Sequence, residues 1–167
     1  MAKSDKTQDL PLYQKGMYIY KLVESLVASL PEEDEYIQAT KGFMLEDAML
    51  IPAKIAGAEG GDLYSIRMQN AAIIRDHAMH LYTQVGSLQF HENYKDLEYV
   101  KLIRKEIEEF RLLFIAWVES FDTTNYYWDE WGLFNPPGAI PPIEGESFDD
   151  EDFDLNDFLD FEDDDED

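Results

Sequence analysis

The histidines are the residues of this chain whose type and spacing first suggest chemistry. His77 and His80 stand three positions apart, on one face of a predicted helix, and Asp76 lies beside them. A metal site can be drawn from these three side chains. Di-iron sites in helical bundles, however, need Glu-x-x-His motifs on two helices and further inward-pointing glutamates, and this sequence contains no Glu-x-x-His. We therefore expect the histidines at a helix interface or on the surface, and we predict no metal and no cofactor.

Other groups that commonly act in catalysis occur without the pattern that their chemistry requires. The carboxylates lie in charge runs, where solvation is a commoner role than general acid or base catalysis. Gly60-Gly61 lacks the strand and the Gly-Lys-Ser/Thr sequence of a phosphate-binding loop. The chain has no cysteine, which excludes disulfides, thiolate catalysis and cysteine-ligated zinc. We therefore predict no catalytic residues and do not expect an enzyme.

Charge is distributed unevenly along the 167 residues. Residues 1–143 hold all 13 Lys and Arg and 22 of the 37 Asp and Glu, so their formal charge is 13 − 22 = −9. Residues 144–167 hold the remaining 37 − 22 = 15 acids and no base. An acidic body does not favour phosphate backbones, because affinity for nucleic acid rests mainly on Lys and Arg. The one concentrated basic run supplies the candidate nucleic-acid contacts: Lys95, Lys101, Arg104, Lys105 and Arg111.

The acidic tail, residues 144–167, carries regularly spaced apolar side chains. Leu155, Phe158 and Leu159 stand at positions i, i+3 and i+4, which would form one apolar face if the segment folded in a partner's groove. This composition predicts disorder in the free tail. A partner-binding segment and a solubilising tail both fit the pattern. The predicted tail residues for partner binding are Phe153, Leu155, Phe158, Leu159 and Phe161.

The elements that must position these residues are predicted from apolar spacing. Apolar residues alternate three and four apart along four segments, at about residues 11–29, 35–59, 63–90 and 95–121, which is typical of helices that pack against one another. Short connections favour antiparallel neighbours, so we predict an all-α, up-down-up-down four-helix bundle over residues 11–121. We expect Asp9 and Asp62 to cap helices, and Gly60 or Gly61 to take a left-handed conformation. Residues 1–10 form an N-terminal segment.

Residues 122–143 are predicted as an aromatic extension and a proline-rich linker. The aromatic density of residues 123–134 is too high to leave in water, so we expect a short fifth helix or a turn that docks on the bundle or on a sister subunit. The third predicted helix also carries a second apolar line. The predicted interface residues, for a second copy or another partner, are Ile66, Ile73, Tyr126, Tyr127, Trp128 and Trp131.

Three sequence segments carry a resemblance to a known family. They are Leu30-Pro31-Glu32-Glu33-Asp34-Glu35-Tyr36, Ile51-Pro52-Ala53-Lys54-Ile55-Ala56 with Glu59-Gly60 after it, and Ala71-Ala72 through Leu81. In these segments residues 9–121, about two thirds of the chain, resemble the four-helix-bundle proteins encoded by intervening sequences of bacterial 23S ribosomal RNA genes. That family includes the accessory variability determinant protein of diversity-generating retroelements.

The resemblance implies antiparallel four-helix protomers that assemble as homopentamers, with no catalytic residues. The retroelement member binds nucleic acid and partners a reverse transcriptase through a basic surface. This chain departs from the pattern at Glu46 and Asp47, where relatives have basic residues, and at Gly57 and Ala58, which separate the Ile-Ala pair from Glu-Gly.

The sequence leads to two functional hypotheses. The first is a non-catalytic, homo-oligomeric adaptor that binds a protein or nucleoprotein partner, with the tail as an interaction segment. The alternative is a nucleic-acid-binding accessory of a reverse transcriptase or of a ribosome-related particle. The first residues are polar and no run approaches 18 apolar residues, so we expect a cytoplasmic protein without membrane association.

Overall fold

The computed structural model describes residues 3–143, and their side chains from residue 6 onward. These residues contain five α-helices and no strand, which confirms the predicted all-α class. The helices are α1 (Lys3–Gln8), α2 (Pro11–Ser29), α3 (Glu35–Glu59), α4 (Tyr64–Ser87) and α5 (Leu97–Glu119). A 3₁₀ turn, Leu88–Phe90, follows α4.

Local signals in the sequence explain where the long helices begin. Pro11 occupies the first turn of α2, where its missing N–H costs nothing. The Asp34 side chain accepts hydrogen bonds from the backbone N–H groups of Tyr36 and Ile37, at 3.0 and 3.2 Å, and so caps α3. The Asp96 side chain caps α5 in the same way. The starts of α2, α3 and α5 are therefore fixed by side chains within a few residues of each start.

The four long helices share one apolar core. The helix pairs in contact are α2 with α3, α2 with α5, α3 with α4, and α4 with α5, while the short α1 contacts α2. Each long helix contributes fully buried side chains to this core. Examples from α2, α3, α4 and α5 in turn are Val23, Leu26, Ile37, Met44, Ile74, Leu81, Ile103 and Phe110. The apolar stripes seen in the sequence therefore face one another.

Three predicted details of the helix ends are wrong. Leu10 and Leu63, not Asp9 and Asp62, hold the N-cap positions of α2 and α4, and neither makes a side-chain capping bond. Gly60 is right-handed, with φ −64°. Among the described glycines only Gly132 and Gly138 have positive φ.

The connection between α3 and α4 is closed by other groups. The Gly60 N–H donates to the Gly57 carbonyl at 3.2 Å, and the Arg67 side chain donates to the Gly61 carbonyl at 3.2 Å. An arginine of the next helix thus bonds a carbonyl of the connection. The connection does not use the left-handed glycine that commonly ends a helix.

The segments on either side of the four long helices also have local structure. Residues 1–10, predicted only as an N-terminal segment, include α1. Residues 122–134 form turns and contain no helix. The described residues fall into two compact units, divided between Pro137 and Gly138. No described helix has the length and apolar character needed to span a bilayer.

Candidate interaction site

The two histidines of the drawn metal site bind a carboxylate that the sequence did not single out. Asp47, buried on α3, accepts hydrogen bonds from His77 Nδ1 at 2.8 Å and from His80 Nδ1 at 2.7 Å, one on each carboxylate oxygen. Asp76 is exposed and contacts only Arg75, at 3.4 Å. The predicted interface position of the histidines is therefore confirmed, with Asp47 as their partner in place of Asp76.

The geometry of this cluster fixes its protonation pattern. A carboxylate only accepts, so each histidine must carry its proton on Nδ1. In a neutral His80 the other ring nitrogen, Nε2, then accepts from the Gln84 amide at 3.2 Å. No group of three or more metal-binding side chains occurs within the described residues. These hydrogen bonds link α3 to α4.

A second polar cluster joins α2 to α5. The Lys15 ammonium donates to Glu106 at 2.5 Å and to Glu109 at 2.8 Å, and the Glu106 side chain is 9% exposed. The hydrogen bond to Glu106, followed by the one to Glu109, raises the pKa of Lys15 above its ordinary value. The same contact with Lys15 lowers the pKa of Glu109. This cluster neutralises a buried carboxylate.

A third cluster closes the end of the molecule where α3, α4 and α5 meet. Glu59 accepts from Arg67 and from the Trp117 indole N–H, both at 2.7 Å. The Arg67 guanidinium lies over the Phe121 ring, 4.4 Å from its centroid. The Glu59 carboxylate thus receives two hydrogen bonds from side chains of α4 and α5, while the buried Nε of Arg67 has no hydrogen-bond partner among the described residues. The arrangement is structural, and it fixes the chain that follows α5.

That chain carries an ordered turn built around Asp129. The Asp129 carboxylate accepts hydrogen bonds from the backbone N–H groups of Trp131, Leu133 and Phe134, all at 2.9 Å. These bonds, the one from Phe134 first, lower the pKa of Asp129 and outweigh the opposing effect of desolvation. The Asn135 side chain bonds both the N–H and the C=O of Asp129. The side chains of Asp129 and Asn135 together thus organise residues 129–135.

The turn is joined to the start of α4. The Tyr64 N–H donates to the Asn125 carbonyl at 2.8 Å, and the Ser65 hydroxyl donates to the Tyr127 carbonyl at 3.0 Å. Tyr126 packs on the core. The turn therefore has a fixed position on the helices.

The predicted interface residues divide by exposure. Tyr126, Trp128 and Ile73 are half-buried, while Tyr127 and Ile66 are exposed. Trp131 is 90% exposed. The sequence reasoning named Trp131 but missed Asp129, although Asp129 followed by glycine and asparagine is typical of a turn in which a side chain binds the backbone.

An apolar groove runs between α4 and α5. Its floor is formed by buried and half-buried apolar side chains, its volume is about 340 Å³, and Arg75, Glu108 and Arg111 stand among its lining residues. The apolar lining is Ala78, Met79, Tyr82, Ile107, Phe110, Phe114 and Ile115. Unlike the three polar clusters, this surface is open.

A cationic cavity of about 350 Å³ adjoins the groove and shares Tyr82 and Glu108 with it. Lys101, Arg104 and Lys105 are among its lining residues. The Arg104 guanidinium lies over the Tyr82 ring, 4.1 Å from the centroid, and its buried Nε has no hydrogen-bond partner.

The structure brings only part of the predicted basic run together. Lys101, Lys105 and Arg111 have carboxylates of α5 nearby, those of Glu98 at 3.5 Å, Glu109 at 3.8 Å and Glu108 at 3.1 Å. Lys95 is exposed and lies before α5. Three of the five candidate nucleic-acid contacts thus already have an anionic neighbour.

No family model, curated protein or solved structure matches this chain. The resemblance to the intervening-sequence family therefore stays a prediction. The predicted tail residues, Phe153 to Phe161, and the predicted disorder of the tail lie outside the described residues.

Proposed function

We propose that this protein is a non-catalytic, self-associating adaptor built on an antiparallel, up-down-up-down four-helix bundle. Contacts at both ends of α3 and α4 support the antiparallel arrangement of that pair. Asp34, just before α3, lies 3.1 Å from His91, after α4. Glu59, at the end of α3, bonds Arg67, near the start of α4. The carboxylates of Asp47, Glu106 and Glu59 each accept hydrogen bonds from side chains of a neighbouring helix, which favours a structural role for them.

The exposure of Trp131 is the observation that carries the adaptor function. Tryptophan is enriched at the energetic centres of protein interfaces. Here the indole stands almost wholly in water, on a turn whose backbone is held by Asp129 and Asn135. A rigid apolar side chain loses little conformational entropy on binding. This position is therefore suited to contact with a second copy or with another partner.

Substitution of Trp131 tests the proposal on the full chain. We expect Trp131→Ala to weaken self-association at least tenfold, because it removes a large apolar contact, as measured by light scattering over a concentration series. Phe90→Ala is the matched control, since Phe90 is an aromatic residue that is 82% exposed on another element. Equal masses for Trp131→Ala and the parent chain would count against Trp131 as the interface.

A second candidate function is the nucleic-acid-binding accessory role. The specific observation that favours it is the meeting of Lys101, Arg104 and Lys105 at one cavity. Binding of this kind weakens steeply as salt rises, because counterions are released from the phosphates. A fluorescent single-stranded oligonucleotide titrated at two salt concentrations tests it, and affinity independent of salt would exclude this function.

The remaining proposals follow the resemblance. A homopentamer, a reverse-transcriptase or ribosome-related partner and a cytoplasmic location are expected if the chain belongs to the intervening-sequence family. The mass of the assembly decides the first of these, since a pentamer has five times the 19.4 kDa of one chain.

A further inference from the structure

Arg104 differs from the other basic residues of α5. Lys101, Lys105 and Arg111 each have a carboxylate within 4 Å. The Arg104 guanidinium packs on the face of Tyr82 instead, and within residues 3–143 its buried Nε has no hydrogen-bond partner. Burying a polar N–H without a partner costs free energy. The chain has 37 acidic residues, yet the partner of this guanidinium among the described residues is an aromatic ring. The guanidinium is therefore free to bind an anion.

The surroundings of Arg104 specify the kind of anion. The cationic cavity continues into the apolar groove through Tyr82 and Glu108. A ligand that fills both must offer an anionic group to Arg104 and apolar side chains to the groove. A guanidinium binds a carboxylate through a planar pair of hydrogen bonds, and the groove accepts side chains against Met79, Phe114 and Ile115. These features match an acidic peptide with aromatic or leucine residues.

The chain itself contains a segment of this composition. Residues 153–161 read Phe-Asp-Leu-Asn-Asp-Phe-Leu-Asp-Phe, and no Lys or Arg occurs anywhere in residues 144–167. A nucleic-acid strand fits less well, because it offers only phosphates to the cationic cavity, where two lysines already have carboxylate neighbours.

We propose that the groove between α4 and α5, with Arg104 at its cationic end, binds residues 153–161 of a second copy. The inference rests on the proposed self-association and names a second pair of surfaces that contributes to it beside Trp131. Such a contact is heterologous, since one copy gives the groove and the other gives the segment.

A mixing experiment between two full-length variants tests the exchange. The groove variant Ile115→Asp places a charge in the apolar lining, and Arg104→Gln serves as a second groove variant that changes the anion site alone. The segment variant carries Phe158→Ser with Leu159→Ser. Leu112→Asp is the matched control, because Leu112 lies on α5, is 62% exposed and does not line the groove. Circular dichroism checks that every variant remains helical.

We expect each groove variant alone and the segment variant alone to self-associate at least tenfold more weakly than the parent chain, with the control unchanged. An equimolar mixture of the groove and segment variants retains one intact groove and one intact segment. It is expected to form a pair of about twice the 19.4 kDa chain mass by light scattering. Only contact between copies predicts this recovery.

Four outcomes would overturn the inference. If the parent chain associates and the variants keep its mass, the groove is not the contact, although self-association stands. If the mixture stays monomeric, the segment of one copy does not bind the groove of another. If an oligonucleotide binds and Ile115→Asp abolishes that binding without a change in mass, nucleic acid occupies the groove. A monomeric parent chain would remove the proposed function first and this inference with it.

Discussion

Asp47 is a carboxylate that lies inside a helix interface, 4% exposed, where it receives a hydrogen bond from each of two histidines. A buried carboxylate is tolerated only when its oxygens are satisfied. His77 and His80 satisfy one oxygen each. The spacing of His77 and His80, which first suggested a metal site, thus lets both side chains bind the carboxylate of Asp47 on the neighbouring helix.

Replacing Asp47 tests this arrangement. We expect Asp47→Asn to lower the free energy of unfolding by about 1–3 kcal/mol. The substitution places an amide NH₂ donor opposite a histidine N–H donor, at a position where the Asp47 carboxylate oxygen accepts a hydrogen bond. Urea denaturation followed by circular dichroism measures it. Asp76→Asn is the matched control on α4 and is expected to change stability by less than about 0.5 kcal/mol. Similar effects for both substitutions would contradict the role of Asp47.

Asp129 gives the turn that bears Trp131 a dependence on pH. The backbone N–H groups hold the pKa of the Asp129 carboxyl below its ordinary value of 3.8. The ionised form therefore stabilises the turn fully above pH 3.8, and this stabilisation is lost as the pH falls through the lower value of the folded state.

An acid titration followed by NMR checks this dependence. We expect the amide resonances of Leu133 and Phe134 to move below pH 3.8 as their acceptor is protonated. Asp129→Asn is expected to remove that transition. A transition with the same midpoint in the variant would show that another group is responsible.

At the scale of the helices, the link between α2 and α5 depends on Lys15. The Glu106 side chain, 9% exposed, has the Lys15 ammonium 2.5 Å away. We expect Lys15→Met to lower the free energy of unfolding by about 2–3 kcal/mol, because it leaves a buried carboxylate without its partner.

Lys105→Met is the matched control for this prediction. Lys105 lies 3.8 Å from Glu109 with a side chain that is largely exposed, and such pairs contribute little to stability. Thermal unfolding of both variants gives the comparison. A Lys15→Met variant as stable as Lys105→Met would mean that Glu106 finds water or another partner.

The helices could be predicted because their signals are periodic and local. The segment of residues 11–29 matches α2, and the buried residues Ile19, Val23 and Leu26 lie on the predicted stripe. Pro31 after Leu30 marks the end of that helix. Apolar spacing was sufficient to identify this helix, because the residues of a core-facing stripe recur with the period of the helix.

The contacts between elements could not be predicted in the same way. Asp47 and His77 are thirty residues apart, and Arg67 replaces the expected glycine cap by reaching back to Gly61. The residues of the turn around Asp129 do not recur at regular spacing, so apolar spacing does not reveal the turn. Pairing over such distances depends on which helix faces lie together, which a single sequence does not state. Trp131 and four of the five residues of the basic run are exposed, whereas Arg104 packs on Tyr82, and the binding roles predicted for them stay predictions.

At the scale of the whole molecule, the division of charge is the dominant feature. Residues 144–167 carry 15 acids and no base, while five of the 13 basic residues fall between Lys95 and Arg111. Charge complementarity between separate regions of a chain promotes association between copies and makes it sensitive to salt. At physiological salt, screening largely removes interactions between exposed charges that lie more than one Debye length, about 8–10 Å, apart.

The mass of the full-length chain in solution tests the central proposal most directly. Light scattering coupled to size exclusion, over micromolar concentrations at low salt, measures it without a label or a known partner. We expect a discrete assembly of at least twice the 19.4 kDa chain mass, which decreases as salt is raised. A single species of 19.4 kDa at every concentration and salt would contradict the account.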